Sequence, residues 1–153
     1  MNDSARTDNF PASPHVPDSG QHSGPPAGFK GESTPPVVLL GHGSRSPKAN
    51  AALAGISAMV AELTGWNVSH ACMELSPPTL DSVVGNLVEK GHRRIIVMPF
   101  FLFQGIHVQK DIPQMLSKLT GEHPDLRVIF TDNLGIDRRL AEIAVDRIKA
   151  ALT

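Results

Sequence analysis

The chain has 153 residues and a formal net charge of -1, with 14 Lys and Arg residues against 15 Asp and Glu residues. This length predicts one folded domain. Because the cations are scattered among the anions rather than gathered into a basic stripe, we expect no binding to nucleic acid. The longest apolar run, residues 95–103, contains Pro99 and is too short to cross a membrane as a helix, so we expect no membrane anchor.

The N-terminus and the cysteine content bear on the cellular compartment. The first residues lack the basic start, apolar middle and small-residue cleavage site of a secretory signal. Cys72 is the only cysteine, which excludes an intrachain disulfide and agrees with a reducing compartment. We therefore expect a cytoplasmic protein in which Cys72 is a packed residue rather than a nucleophile.

Residues 1–34 differ in composition from the rest of the chain. They are rich in Pro, Gly and Ser and have almost no periodic apolar pattern, which predicts a disordered tail. His15 and His22 lie in this tail, and we interpret them as solvated residues rather than as a metal trap. The folded domain is predicted to span residues 35–153.

Strands and helices alternate four times after the tail. The predicted strands are residues 37–40, 66–74, 94–102 and 126–130, and the predicted helices are residues 48–63, 79–90, 110–119 and 136–152. Strand 94–102 is apolar throughout, which predicts a central position. The alternation predicts an α/β fold, a three-layer sandwich in which helices cover both faces of a four-stranded parallel sheet through right-handed crossovers.

Three of the predicted helices carry an apolar stripe at helical spacing. The stripes consist of Leu53, Ile56, Val60 and Leu63 in the first helix, Leu80, Val83, Val84 and Leu87 in the second, and Leu140, Ile143, Ala144 and Ile148 in the last. Gly65 and Gly91 follow the first two helices and are predicted to end them.

Polar residues follow each predicted strand, at the edge where ligands bind in open parallel sheets. His42 follows the first strand and Glu74 closes the second, while Gln104, Gly105 and His107 follow the third, and Asp132 and Asn133 follow the fourth. Imidazole nitrogen and carboxylate oxygen together suit a borderline divalent metal such as Co, Ni, Fe or Zn. Glycines beside both histidines, Gly41, Gly43 and Gly105, allow close backbone approach. We therefore predict a metal site formed by His42, His107 and Glu74.

Other interpretations of the "LLGHGSR" stretch fit less well. A dinucleotide fingerprint requires glycine where Ser46 stands, the Gly-Lys of a Walker loop is absent, and Ser44 lacks the flanking glycines of a nucleophile elbow. We expect no nucleotide cofactor, and we expect Ser44 to cap the next helix or bind a ligand carboxylate. A phosphohistidine-type phosphatase stays open, although Gly41 stands where its phosphate-binding Arg is expected.

Three ordered motifs carry a family resemblance: "LLGHGSRSPKANAAL", "MELSPPTLDSVV" and "IIVMPFFLFQGIHVQKDIP". Over residues 37–150 the chain resembles the short CbiX-type sirohydrochlorin chelatases, ATP-independent lyases that insert a divalent metal into a tetrapyrrole. The resemblance implies a chelatase-like fold with one repeat unit per chain. It implies sirohydrochlorin as substrate and Co²⁺, Fe²⁺ or Ni²⁺ as the metal, in cobalamin or siroheme biosynthesis, and we slightly prefer Co²⁺.

The resemblance also assigns roles to residues. His42 and His107 match the paired metal-binding histidines, and Glu74 matches an acidic residue that either holds the metal or accepts a proton. The predicted substrate-binding residues are Ser44, Arg45, Gln104, Gly105, Lys110 and Asp111, and Lys48 and Phe103 are further candidates. Longer members contain two facing copies of the unit, whereas this chain has one copy of each motif, so we expect a homodimer that closes the site between subunits. A non-catalytic metal or tetrapyrrole carrier with the same ligands stays an alternative.

Overall fold

The computed structural model describes residues 34–103, 105 and 107–152, with the backbone alone at His107. The predicted tail, except for its last residue, and Gln104 lie outside the described residues. The elements are β1 (Val37–Gly41), α1 (Pro47–Thr64), β2 (Val68–Cys72), α2 (Leu80–Glu89), β3 (Arg94–Pro99), α3 (Ile112–Glu122), β4 (Arg127–Phe130) and α4 (Arg138–Ala150). A π-helical turn, His107–Asp111, directly precedes α3. Within the described ranges, no helix is both long and apolar enough to span a membrane.

The four strands form one parallel sheet in the order β2-β1-β3-β4. The predicted α/β fold with a four-stranded parallel sheet is thus confirmed. The central position predicted for the third strand is also confirmed, since β3 pairs with β1 on one side and with β4 on the other. β1 is the second central strand, and its five residues are all buried.

One face of the sheet, called here the closed face, is covered by α2 and α3. Because side chains alternate along a strand, Val38 and Leu40 of β1 lie on this face together with Ile95 and Val97 of β3. They form one buried cluster with Leu80, Val84 and Leu87 of α2 and with Ile112, Leu116 and Leu119 of α3. This cluster is the hydrophobic core of the chain.

The opposite face is covered by α1 over only part of its area. An apolar groove of about 460 Å³, called here the open groove, is lined by Val37, Leu39, Val60, Trp66, Ile96, Met98, Phe100, Thr131 and Leu134. Leu63, on the apolar stripe of α1, is 84% exposed near the end of the helix. The apolar stripe of α4 is likewise not covered, and no residue of α4 is buried.

Local signals set several element boundaries. Gly65 ends α1 with φ 70°, and its N–H donates to the carbonyl of Ala61 at 2.8 Å. Gly91, with φ 90°, follows α2 as predicted. The second and third strands are shorter than predicted. The helix predicted at residues 110–119 instead starts in the π-helical turn at residue 107 and continues to residue 122.

Candidate active site

His42 and Glu74 lie side by side on the loops that follow β1 and β2. The parallel pairing continues past the strands, since the N–H of Met73 donates to the carbonyl of Gly41 at 2.9 Å and that of Glu74 donates to the carbonyl of His42 at 3.1 Å. These bonds bring Nε2 of His42 within 3.5 Å of Oε1 of Glu74. The side chains are 40% and 53% exposed, respectively, so the pair is open to a ligand.

Gly43 is the residue that allows the two loops to approach so closely. Its φ is +92°, a left-handed conformation that side chains disfavour. A Cβ built at this position would lie 2.0 Å from the carbonyl oxygen of Glu74 and 3.0 Å from Cβ of Cys72. Glycine is therefore required beside His42 both by conformation and by space, as the sequence pattern predicted.

The chain turns sharply just after Glu74. The N–H of Ser76 donates to the carbonyl of Glu74 at 2.8 Å around Leu75, whose φ is 68°. This arrangement is that of a γ-turn, and a non-glycine residue at positive φ carries backbone strain. The sequence contained no glycine or asparagine at this position to indicate the turn.

The segment between β1 and α1 is ordered by its own polar groups. The hydroxyl of Ser44 accepts the N–H of Ser46 at 3.0 Å, and the amide Nδ2 of Asn50 donates to the carbonyl of Ser44 at 2.8 Å. The prediction that Ser44 caps the helix is wrong, because α1 begins at Pro47 and its N-cap is Ser46. Asn50 was not predicted; it lies one turn into the helix, where side chains lean back toward the N-terminus.

A cavity of about 270 Å³ lies beside His42. Apart from the glycine loop itself, its wall includes Ala49, Leu53, Ile56 and Phe100. It is bounded on one side by close packing of α1 against the loop, since a Cβ at Gly41 would come within 2.7 Å of Cδ2 of Leu53. The imidazole of His42 therefore borders a mainly apolar space.

The segment after β3 supplies His107 at the start of the π-helical turn. The side chain of Val108 is buried in the core, and the N–H of Gln109 donates to the carbonyl of Gly105 at 3.1 Å, so the turn is attached to the fold. A Cβ at Gly105 would meet no described atom within 4 Å, and the φ of Gly105 lies outside the left-handed range.

The loops after β3 and β4 are tied together by Asn133. Its side-chain amide donates to the carbonyls of Phe101 at 3.2 Å and Leu102 at 3.3 Å. Next to this anchor, Leu102 and Phe103 are exposed, Phe103 by 75%. The edge thus presents an apolar surface together with the exposed cations Arg45, Lys48 and Lys110. Asp111 is half-buried on the π-helical turn.

The described side chains offer two candidate metal donors. Among them, no three of His, Cys, Asp or Glu form a group that could hold a metal ion. His42 and Glu74 offer one nitrogen and one oxygen donor, and the side chain of His107 lies outside the described residues.

Three further His and Cys residues have defined places in the fold. Cys72 is fully buried, and its Sγ lies 3.4 Å from the hydroxyl of Ser76, which confirms a packed residue. His70 lies within β2, and His123 is the C-cap of α3, before β4 and so at the edge of the sheet opposite to His42.

Comparisons with known proteins identify the family. The CbiX profile matches residues 36–151. The sirohydrochlorin cobaltochelatase of Methanopyrus kandleri is 35% identical over 137 residues, which cover 76% of this chain and 96% of that protein. The chloroplastic sirohydrochlorin ferrochelatase of Arabidopsis thaliana is 33% identical over 118 residues, which cover 76% of this chain and 52% of that protein.

A solved structure agrees with these sequence matches. The cobalamin (vitamin B12) biosynthesis CbiX protein of Marinobacter aquaeolei superposes with a TM-score of 0.67 at 29% identity, covering 78% of this chain and 98% of that one. The fold, the ordered motifs at the sheet edge and the matched span together show that the chain belongs to the CbiX family.

Proposed function

We propose that this chain is a sirohydrochlorin chelatase, a lyase that inserts a divalent metal ion into sirohydrochlorin without a nucleotide cofactor. The observation that carries the proposal is the pair formed by His42 and Glu74, 3.5 Å apart at the ligand-binding edge of the sheet. Relatives named sirohydrochlorin cobaltochelatase and sirohydrochlorin ferrochelatase support the same reaction. The pathway is tetrapyrrole biosynthesis, of cobalamin with cobalt or of siroheme with iron.

The metal substrate is held by His42, Glu74 and His107. Nitrogen and carboxylate oxygen donors suit cobalt, iron and nickel in their divalent states, and cobalt is the preferred substrate in this proposal. Each metal ion that enters the macrocycle replaces two pyrrole N–H protons, which must leave the ring. A neutral imidazole of the pair His42 and His107 accepts one of these protons and the Glu74 carboxylate accepts the other, since each has a lone pair that the metal no longer occupies, and both protons then pass to solvent.

The rest of the edge binds the macrocycle. Exposed Arg45, Lys48 and Lys110 pair with the carboxylates of the tetrapyrrole rim, because charge-assisted hydrogen bonds to carboxylate are strong and directional. The apolar surface formed by Leu102 and Phe103 contacts the ring face. Ser44, Gln104, Gly105 and Asp111 complete the proposed substrate-binding set.

The active assembly is a cytoplasmic homodimer. The match covers about half of the Arabidopsis ferrochelatase, so two copies of this chain together would be about as long as that protein. In a twofold dimer the same edge is present twice, and the site closes between the two copies.

The reaction is tested by an anaerobic absorbance time course with purified protein, excess sirohydrochlorin and Co²⁺, Fe²⁺ or Ni²⁺ in turn. We expect more than one metal insertion per chain above the uncatalysed rate, fastest with Co²⁺, and loss of this rate in His42→Ala and His107→Ala. Product that stops at one per chain would identify a carrier. No acceleration with any metal would contradict the proposal, and hydrolysis of p-nitrophenyl phosphate would then test a phosphohistidine enzyme.

A further inference from the structure

Leu75 has an unusual backbone conformation next to the candidate metal donors. It directly follows Glu74, whose Oε1 lies 3.5 Å from Nε2 of His42. Its φ is 68°, and within the described ranges it is the only non-glycine residue with a positive φ. Such a conformation is disfavoured for leucine and persists only where the surrounding structure enforces it, most often at functional sites.

Hydrogen bonds on both sides of Leu75 hold this turn in place. Before it, the N–H of Glu74 donates to the carbonyl of His42 at 3.1 Å, and after it the N–H of Ser76 donates to the carbonyl of Glu74 at 2.8 Å. The hydroxyl of Ser76 also donates to Sγ of Cys72 at 3.4 Å. Because Cys72 is fully buried, this contact ties the turn to the end of β2. The turn is therefore a fixed part of the edge.

The side chain of Leu75 contributes little to the packing of its own chain. It is 50% exposed, and among the described residues it belongs neither to the buried core cluster nor to the partly buried apolar residues that pack against it. Glycine would adopt the same positive φ without steric cost, and asparagine would adopt it more readily than leucine. Neither the turn nor the core explains an apolar side chain here, whereas ligand sites are lined mainly by apolar side chains around a few polar groups.

The strand order places Leu75 and Phe103 on opposite sides of His42. Leu75 follows β2 and Phe103 follows β3, while His42 follows β1, which lies between these two strands. Neighbouring strands lie about 4.8 Å apart, so the ends of β2 and β3 are separated by about 10 Å, within the breadth of one tetrapyrrole macrocycle. Since Phe103 is 75% exposed, the edge carries an exposed apolar side chain on each side of the candidate metal donors.

We propose that Leu75 is a substrate-binding residue that packs against the macrocycle on the side of His42 opposite to Phe103. A ring that rests on both side chains has its central nitrogens near His42 and Glu74. This inference rests on the proposed chelatase function and adds a residue to its substrate site. Because the ring is present before and after metal insertion, the contact stabilises the bound macrocycle rather than the transition state alone.

Unfolding in urea tests whether the fold itself needs leucine at this position. Leu75→Gly and Leu75→Asn both relieve the disfavoured φ, so both should unfold at the parent's urea midpoint or above it. Leu75→Met keeps the strain and an apolar side chain, so it should keep the parent's midpoint. Lower midpoints for both Leu75→Gly and Leu75→Asn would overturn the proposal, because the side chain would then be required by the fold.

Binding of sirohydrochlorin without metal tests the contact itself. Anaerobic equilibrium dialysis, read by the absorbance of the macrocycle, gives the Kd of each variant. Leu75→Asn should raise Kd about fivefold or more, since the ring no longer buries an apolar group there, and Leu75→Met should stay within about twofold of the parent. Leu63→Asn is the matched control, because it replaces a leucine that is 84% exposed near the end of α1, and it should leave Kd unchanged. An unchanged Kd in Leu75→Asn would overturn the proposal.

Steady-state cobalt insertion separates failure of this inference from failure of the chelatase proposal. In Leu75→Asn, KM for sirohydrochlorin should rise by the same factor as Kd while kcat stays unchanged, because binding is lost equally in the ground state and the transition state. A loss of kcat at unchanged KM would overturn the contact, and unchanged kinetics would overturn it while leaving the chelatase intact. A parent that binds sirohydrochlorin but never inserts metal would refute the chelatase and leave the contact at Leu75 intact.

Discussion

The two faces of the sheet differ in how much of each is covered by helices of the same chain. On the closed face, Leu40 and Val97 are fully buried beneath α2 and α3, and the core is continuous. On the open face, the side chains that alternate with them, Leu39 and Ile96, line a groove that the chain does not fill. The comparison shows that the closed face supplies the continuous core, while the open face keeps an apolar groove that borders the cavity beside His42 through Phe100.

The largest expected effect on stability is the loss at Leu40, which should exceed the loss at its neighbour Leu39 in β1. Leu40→Ala removes a fully buried side chain from the closed face and should cost about 2–5 kcal/mol of unfolding free energy at every protein concentration. Leu39 is 4% exposed but borders the open groove, so Leu39→Ala removes fewer packing contacts and should cost less. Urea unfolding of both variants checks this difference. Equal losses of unfolding free energy would contradict the difference between the faces.

Gly43→Ala should have the next largest effect and should also abolish activity. The added Cβ would meet the carbonyl of Glu74 at 2.0 Å, so the two ligand loops must separate. Gly91→Ala is the matched control, because Gly91 has a similar φ of +90° but open space around it. We expect the control to lose only about 1–2 kcal/mol from its backbone conformation and to keep full turnover. Similar activity in both variants would contradict the view that activity requires the close approach of the loops that carry His42 and Glu74.

A smaller effect is expected for Asn133→Ala. This change removes the amide bonds to the carbonyls of Phe101 and Leu102, and each such bond contributes about 1 kcal/mol. The apolar surface near Phe103 should loosen, which raises KM for sirohydrochlorin more than it lowers kcat. Asn86→Ala in α2, which removes an amide bond to the carbonyl of Ser82, should leave KM unchanged. A parallel rise of KM in both variants would argue against a positioning role.

The smallest effect is expected at the N-terminus of α4. Arg139 donates to Asp137 from its side chain and its backbone N–H, which lowers the pKa of that carboxyl from 3.8 to about 2. Since the folded pKa is lowered, this contribution is complete above pH 4 and is lost as the pH falls through 2. Amide exchange in the first turn of α4 should therefore accelerate between pH 4 and 2 in the parent relative to Asp137→Asn, in which the group no longer titrates. The same pH dependence in both would exclude this carboxyl as its origin.

Much of the fold followed from local patterns. An apolar run ended by glycine located β1, and further apolar runs located the other strands. The rule that parallel strands present their carboxyl ends at one edge predicted that His42 and Glu74 lie close together. Gly43 was predictable because a glycine beside a candidate ligand often reflects close approach.

Other features depend on contacts that sequence patterns do not encode. The positive φ of Leu75 results from the path of the chain between β2 and α2, and no residue type marks it. The sequence offers two candidate N-caps for α1, Ser44 and Ser46, which have the same side chain. Ser46 is the N-cap because the helix starts at Pro47. The apolar stripe of α4 is typical of a packed helix, yet no residue of α4 is buried, and periodicity alone does not reveal this.

The central claim is that His42 delivers the metal to the macrocycle. The most direct measurement is the initial rate of Co²⁺ insertion into excess sirohydrochlorin by His42→Ala, beside His123→Ala at the opposite edge of the sheet. We expect His42→Ala to fall to the uncatalysed rate while it keeps the parent's oligomeric state and unfolding midpoint, and His123→Ala to insert cobalt at the parental rate. Parental turnover by a folded His42→Ala would contradict the account.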